Sequence, residues 1–300
     1  MVTLTAAEVS KRPAVVIGAG TLGRRIALML ATQGGEARLY DTNEQTVAEG
    51  VAYVKDALPE LVAKIKNGRL GRVVGYSDLK DALADAWLIF EAVPEIAELK
   101  RKVLTDLDRL SSPDAIIASN SSSFPSSELI DHVSRPQRVL NAHFYMPPRV
   151  VPVELMSCGA TDPALIDLLM EQLPKYGLRP FQVRAESVGL IFNRVWAAIK
   201  RESLYVVAQG VSTPEEVDEL FKLVSGGSHG PFRNMDEVGL DIVLAIEEHY
   251  ASLRRGLPEE PRKLLREYID KGWLGVKAGR GFYNDYAEVA RKATGRRERT

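Results

Sequence analysis

The sequence predicts a doubly wound α/β sheet followed by an all-helical C-terminal domain, and three features carry that reading. Short apolar runs alternate with helical patterns up to about residue 185. Strand signals then stop, after Glu186. The first apolar run also ends in a glycine-rich turn that opens a helix, as a parallel strand does where it meets its crossover helix.

Ala14–Ile17, Ala37–Tyr40, Trp87–Val93, Ala115–Ser119 and Val139–Phe144 are apolar at successive positions, as strands buried on both faces are. Thr21–Gln33 and Ala97–Leu110 read as helices between them. Pro59 interrupts the helical run from Asn43 to Asn67, which predicts a helical hairpin there. Val151–Met156 and Pro180–Arg184 read as further strands, flanking a helix over Pro163–Tyr176. Ser187 is placed to cap a long helix ending at a C′ glycine, Gly210. The first half of that helix is apolar on most faces, so it is expected to pack against something large, including a second subunit of a homodimer. Helices over Pro214–Leu223, Met235–Tyr250 and Pro258–Lys271 complete a division into a sheet domain, 1–186, and a helical domain, 187–300.

A chain of 300 residues holds two cores of ordinary size. With 45% apolar and 26% charged residues, the balance is that of a globular protein in water. A formal net charge of -1 gives no global field toward nucleic acid or an anionic membrane, and neither is expected as a partner. The basic tail at Arg296, Arg297 and Arg299 reads as a solvated terminus. Cys158 is the only cysteine, which excludes an internal disulfide and suits a reducing, cytoplasmic location. The first apolar run is too short for a signal segment, and none approaches a membrane span. No metal is expected.

Val15-Val16-Ile17-Gly18-Ala19-Gly20-Thr21-Leu22-Gly23 is a strand entering G-x-G-x-x-G and then a helix. Gly18 permits the tight turn, Gly20 a close backbone approach to a pyrophosphate, and Gly23 close packing of helix on sheet. The helix start at Thr21 and Leu22 supplies free N–H groups. Asp41 ends the next strand, 21 residues after Gly20, where a carboxylate binds the ribose hydroxyls of NAD and repels a 2′-phosphate. Together these predict a Rossmann-type domain that uses NAD.

His143 follows the apolar run Val139-Leu140-Asn141-Ala142. A histidine at a strand end is often only packed or solvated. Here Glu154 lies eleven residues on, beyond a turn at Met146-Pro147-Pro148-Arg149, so a returning strand brings a carboxylate to the imidazole. A carboxylate there fixes the tautomer and favours the imidazolium formed when histidine takes a proton. Ser119-Asn120-Ser121-Ser122-Ser123 follows another strand and falls at the same carboxyl edge, where open sheets place their ligands.

These motifs resemble the L-3-hydroxyacyl-CoA dehydrogenase family over nearly the whole chain. The resemblance rests on GAGTLG at 18–23, Glu91-Ala92-Val93-Pro94-Glu95, ASNSSS at 118–123, His143-Phe144-Tyr145 with Glu154, and Val188-Gly189-Leu190-Ile191-Phe192-Asn193-Arg194. It continues through Gly230-Pro231-Phe232, Val238-Gly239-Leu240-Asp241, Gly272-Trp273-Leu274-Gly275 and Gly279-Arg280-Gly281-Phe282-Tyr283. It implies His143 as catalytic base, Glu154 as its partner, and Ser122 and Asn193 as contacts to the substrate oxygen. It also implies Glu95, Lys100 and Asn120 beside the cofactor, and a homodimer. The activity implied is NAD-dependent oxidation of a 3-hydroxyacyl-CoA, or reduction of the ketone, in fatty acid metabolism.

The sequence departs from the family at two points. Typical members have Asn-Pro after the His-aromatic-aromatic unit, where this chain has Met146-Pro147, and the His-to-Glu interval is one residue shorter. Both departures bear on the substrate rather than on the proton chemistry. Family branches that act on free hydroxy acids such as gulonate or carnitine therefore stand as the alternative. CoA would need cations from the Asn43–Arg72 region, where Lys55, Lys64, Lys66 and Arg69 are available. A non-catalytic NAD-binding protein is a further alternative, against which stand Ser122, His143, Glu154 and Asn193 together.

Overall fold

The computed structural model of the chain describes residues 6–9 and 11–286, so the basic tail at Arg296, Arg297 and Arg299 lies outside the described residues. The chain divides into two compact units, Met1–Ile191 and Phe192–Thr300.

After one helical turn, α1 (Ala6–Val9), the first unit alternates strand and helix. Its order is β1 (Ala14–Ile17), α2 (Thr21–Leu30), β2 (Glu36–Tyr40), α3 (Glu44–Lys64), β3 (Arg72–Tyr76), α4 (Leu79–Leu83), β4 (Leu88–Glu91), α5 (Ala97–Leu110) and β5 (Ile116–Ser119). Then come β6 (Val139–Met146), β7 (Val150–Ser157), α6 (Pro163–Gln172) and β8 (Arg179–Val183). The strands form one sheet in the order β3-β2-β1-β4-β5-β6-β7-β8. Strands β1 to β6 pair parallel, β7 runs antiparallel to β6, and β8 follows β7.

Alternate residues of the central strands β1, β4 and β5 enter separate cores. Val16, Leu39, Phe90, Ala118 and Leu140 pack with α2, α3 and α6 on one face. Val15, Ile17, Ile89, Ile117 and Val139 pack with α4 and α5 on the other. Successive apolar side chains along these central strands thus mean helices on both faces, which is the doubly wound arrangement.

Several elements differ from expectation. There is no hairpin at Pro59: α3 is one helix with the proline inside it. Pro59 is exposed, so the carbonyl it leaves unpaired faces water, while Val47, Val54 and Leu58 stay buried at helical spacing. Strand β3 was hidden because only Val73 of its five residues is buried. Trp87–Val93 narrows to β4, and Ala92–Glu95 leaves the sheet as a loop.

The second unit is helical: α7 (Phe192–Ala208), α8 (Pro214–Ser225), α9 (Pro231–Val238), α10 (Leu240–Leu253) and α11 (Glu260–Asp270). Ser187 does not cap α7. Its hydroxyl donates to the Leu190 carbonyl, and positive φ at Gly189 and Leu190 delays the helix to Phe192. Gly210 does end the helix in a left-handed conformation. Gly239, at φ 102, splits the helix expected over Met235–Tyr250 into α9 and α10.

Two buried aspartates tie this unit together. Asp218 accepts the N–H groups of Phe232 and Arg233 at the start of α9, and the Tyr283 hydroxyl. Asp236 accepts the N–H groups of Phe282 and Tyr283. The Gly-Pro-Phe and Gly-Phe-Tyr motifs are therefore latches around Phe232 and Phe282, whose rings meet edge-on at 4.7 Å. Asp218→Ala should destabilise this unit by about 2–4 kcal/mol, because it leaves buried donors unpaired. A denaturation midpoint unchanged from the parent protein would contradict the latch.

Candidate active site

The turn after β1 is built for close approach. Gly18 has φ +98, and a Cβ there would lie 2.6 Å from the carbonyl oxygen of Ala92. A Cβ on Gly23 would sit 1.7 Å from the carbonyl oxygen of Gly18, so only glycine lets α2 start this near the turn. At Gly20, by contrast, a Cβ would meet nothing within 4 Å. Gly20 borders open space, and as N-cap of α2 it offers no side chain to the first helical N–H groups. Thr21 is exposed, and Leu22 packs on the core while its N–H belongs to the free first turn. This cradle suits an anionic diphosphate.

Asp41 follows β2 and closes the other side of the turn. One carboxylate oxygen accepts the Ala19 N–H at 2.9 Å and the other the Asn43 N–H at 3.0 Å. Each oxygen keeps a lone pair for a ribose hydroxyl. The residues present thus fit NAD.

A buried charge cluster lies at the carboxyl end of β4. The Lys100 ammonium, on a residue only 1% exposed, donates to Glu91 at 2.8 Å and to the Val93 carbonyl at 3.2 Å, and contacts Glu95 at 3.2 Å. All three of its protons are engaged within the protein. Lys100 thus ties Glu95 and the Val93 loop to the end of β4. Glu95 Oε1 accepts the Ser121 hydroxyl and the N–H groups of Ser122 and Ser123. Burial works against the Glu95 charge, but the Ser121 hydroxyl, Lys100 and the Ser123 N–H hold its carboxyl below the ordinary range.

The serine loop is thereby fixed from several sides. Ser121 is consumed in it, donating to Glu95 and accepting from the Phe124 N–H. Asn141 holds the far side, accepting from Ser126 and donating to the Phe124 carbonyl. Asn120 accepts the Phe144 N–H at 2.8 Å and so ties the loop to β6 next to His143. Ser122 stays partly exposed.

His143 and Glu154 are cross-strand partners in the antiparallel β6–β7 ladder. The register places their side chains on one face, with His143 Nδ1 3.4 Å from Glu154 Oε2. His143 is 7% and Glu154 3% exposed. Glu154 Oε1 accepts the Ile191 N–H at 2.8 Å. Because Ser119 of β5 pairs with Asn141, His143 projects just beyond the parallel strand ends. Asn193 lies in the first turn of α7, in the second unit.

Three contributors were not singled out from the sequence. Tyr145 donates its hydroxyl to Glu154 Oε2 at 2.6 Å; its place two residues after His143, on the same strand face, was the available signal. Glu91, an acid at the end of an apolar parallel strand, signalled a buried partner. Asn141 had no signal beyond being polar within an apolar run.

The glycine cradle, the ribose acid and the carboxyl-edge dyad define a Rossmann-type dinucleotide-binding unit joined to a helical one. Family comparison is more specific. The model of the 3-hydroxyacyl-CoA dehydrogenase NAD binding domain matches residues 13–186, and that of the 3-hydroxyacyl-CoA dehydrogenase C-terminal domain matches 189–285. The chain belongs to the 3-hydroxyacyl-CoA dehydrogenase family and is an NAD-dependent dehydrogenase acting on a CH–OH group. It is 35% identical over 280 residues to the probable 3-hydroxybutyryl-CoA dehydrogenase of Bacillus subtilis, covering 91% of this chain and 97% of that one. The crystal structure of (S)-3-hydroxybutyryl-CoA dehydrogenase from Ralstonia eutropha superimposes with a TM-score of 0.80 at 31% identity, covering 91% and 99% of the two chains. The 5-formyl-3-hydroxy-2-methylpyridine 4-carboxylate 5-dehydrogenase of Mesorhizobium japonicum is 28% identical over 279 residues, 91% of this chain and 90% of that one.

The Asp41 geometry has a measurable consequence. kcat/KM with NAD should exceed that with NADP, and Asp41→Ala should narrow the ratio about tenfold or more, since a carboxylate against a 2′-phosphate costs several kcal/mol. Equal values for the parent enzyme would contradict the assignment.

Proposed function

We propose that the protein interconverts a 3-hydroxyacyl-CoA and the 3-ketoacyl-CoA with NAD, and that His143 and Glu154 carry the proton chemistry. The observation that supports this most is the cross-strand pairing of the two at the carboxyl edge of the sheet. His143 removes the hydroxyl proton of the substrate, and the Glu154 charge stabilises the imidazolium. Ser122 and Asn193 hold the reacting oxygen in line. NAD, when bound, accepts the hydride. In the reverse direction the imidazolium returns its proton to the ketone oxygen.

The thioester reading draws on the 3-hydroxybutyryl-CoA dehydrogenases among the relatives. A groove of about 500 Å³ between α2, α3 and the β6–β7 turn also supports it, combining apolar Leu28, Met29 and Leu61 with Arg25, Lys64 and Arg149. One observation favours a free hydroxy acid instead. The region expected to form a CoA-binding hairpin is a single helix followed only by residues 65–71. Its cations do not converge, because Lys55 and Lys64 lie nine positions apart, on opposite sides of α3, and Lys64 is paired with Glu60. The Mesorhizobium japonicum relative, named for a pyridine carboxylate, supports this second reading.

NADH fluorescence with a panel of 3-hydroxyacyl-CoAs and free hydroxy acids separates the two. Turnover is expected with the thioesters, and turnover confined to free acids would overturn that choice. His143→Gln should lower kcat roughly 10²–10⁴-fold with NAD affinity nearly unchanged, the scale of general base catalysis. A His143→Gln enzyme of parent activity would remove His143 from the mechanism.

The protein is further proposed to act as a homodimer in the cytosol. Leu220, Leu223 and Val224 form an exposed apolar stripe at helical spacing on α8, of the kind a second subunit covers. The free, buried thiol of Cys158 suits a reducing compartment. Light scattering at micromolar concentration should give the dimer mass, and a monomer mass would contradict the assembly.

A further inference from the structure

Glu154 has two oxygens and more than one claimant. Oε1 accepts the Ile191 N–H at 2.8 Å. Oε2 accepts the Tyr145 hydroxyl at 2.6 Å and faces His143 Nδ1 at 3.4 Å. The shorter contact to the oxygen that faces the imidazole thus belongs to the tyrosine. The Tyr145 ring also stands edge-on to the His143 ring, with centroids 4.8 Å apart and planes at 71°.

We propose that Tyr145 is a positioning residue that shares the Glu154 carboxylate with His143 and thereby weakens the carboxylate's hold on the imidazolium proton. This rests on the reading of His143 as the base. A hydroxyl 2.6 Å from a carboxylate is a charge-assisted donor, and it stabilises the negative charge it meets. Charge stabilised by one donor is less available to another. The dyad is therefore a triad in which the hydroxyl moderates the carboxylate that faces the His143 ring. Burial and the Glu154 charge keep the Tyr145 hydroxyl protonated far above its ordinary range, so it remains a donor at every working pH.

Neighbouring elements bring other polar and charged groups toward this end of β6. Strand β7 brings Glu154, and β5 with its following residue brings Ser119 and Asn120, which do not ionise in this range. The serine loop brings Glu95, occupied by Ser121 and Lys100. Helix α2 brings Arg25, which donates to the Pro147 carbonyl, and the 3-10 turn Ser126–Glu128 after the serine loop brings the exposed Glu128. The hydrogen bond singled out is the one made to the oxygen that faces His143.

Tyr145→Phe removes the donor and keeps the ring. The acidic limb of kcat/KM for alcohol oxidation should then move to higher pH, by roughly half a unit or more, as loss of a charge-assisted hydrogen bond implies. The basic limb of ketone reduction should move the same way. A limb that stays in place together with an unmoved His143 ring titration would show that Tyr145 only packs. A limb that moves to lower pH would show that Tyr145 holds Glu154 toward His143, and either result overturns the proposal. Carbon NMR of the histidine rings, with the His143 signal identified by its loss in His143→Gln, separates this from failure of the base assignment. If the His143 titration moves up in Tyr145→Phe while the kinetic limbs do not, the sharing stands and the base assignment falls. If the His143 titration does not move up, the sharing falls.

Discussion

Glu154 is the constraint on which the rest of the site depends. A carboxylate at 3% exposure in the middle of a strand is costly unless its lone pairs are taken. Partners reach it from separate places, among them the Ile191 N–H after the last strand, the Tyr145 hydroxyl, and the His143 ring across the ladder. They meet because β7 reverses against β6 in a register that pairs His143 with Glu154. A slip of one residue would turn Glu154 to the opposite face of the sheet. The register shift falls between Phe144 and Met146, beyond the His143–Glu154 pair, toward the end of the ladder that meets the turn.

A second buried charge set answers the first from the neighbouring strand ends. Lys100 is held between Glu91 and Glu95, and Glu95 in turn holds the serine loop by the Ser121 hydroxyl and two backbone N–H groups. Removing either sign alone would leave an uncompensated buried charge, which is far costlier than the intact pair is stabilising. Such a network is better suited to fixing geometry than to adding stability. What it fixes is the loop carrying Ser122, which Asn120 joins to β6 through Phe144. Loop and dyad are thus referenced to one sheet edge, the same edge at which Gly20 opens on space and Asp41 closes the turn.

Much of this was legible in the sequence because it follows from short-range rules. Apolar residues at successive strand positions announced helices on both faces. The glycine spacing announced the cradle, and the interval from His143 to Glu154 announced the returning strand. Features governed by context were not legible. Pro59 suggested a break, yet its exposed position leaves the buried stripe of α3 intact. Strand β3 carries too few buried residues to be seen. Ser187 looked like a cap, but positive φ at Gly189 and Leu190 moved the helix start, and that same turn presents the Ile191 N–H to Glu154. The burial of Lys100 between Glu91, Glu95 and the Val93 carbonyl was likewise not legible, because those partners come from a strand end and a loop that the sequence does not place beside it.

The central claim is that His143 and Glu154 act as one catalytic unit on a shared carboxylate geometry. A double-mutant cycle with His143→Gln, Glu154→Gln and the double variant, read as kcat/KM for hydroxyl oxidation across pH, tests it most directly. If the two act as a unit, the double variant will be little worse than His143→Gln alone. Losses that simply multiply would show two independent contributions and contradict the claim.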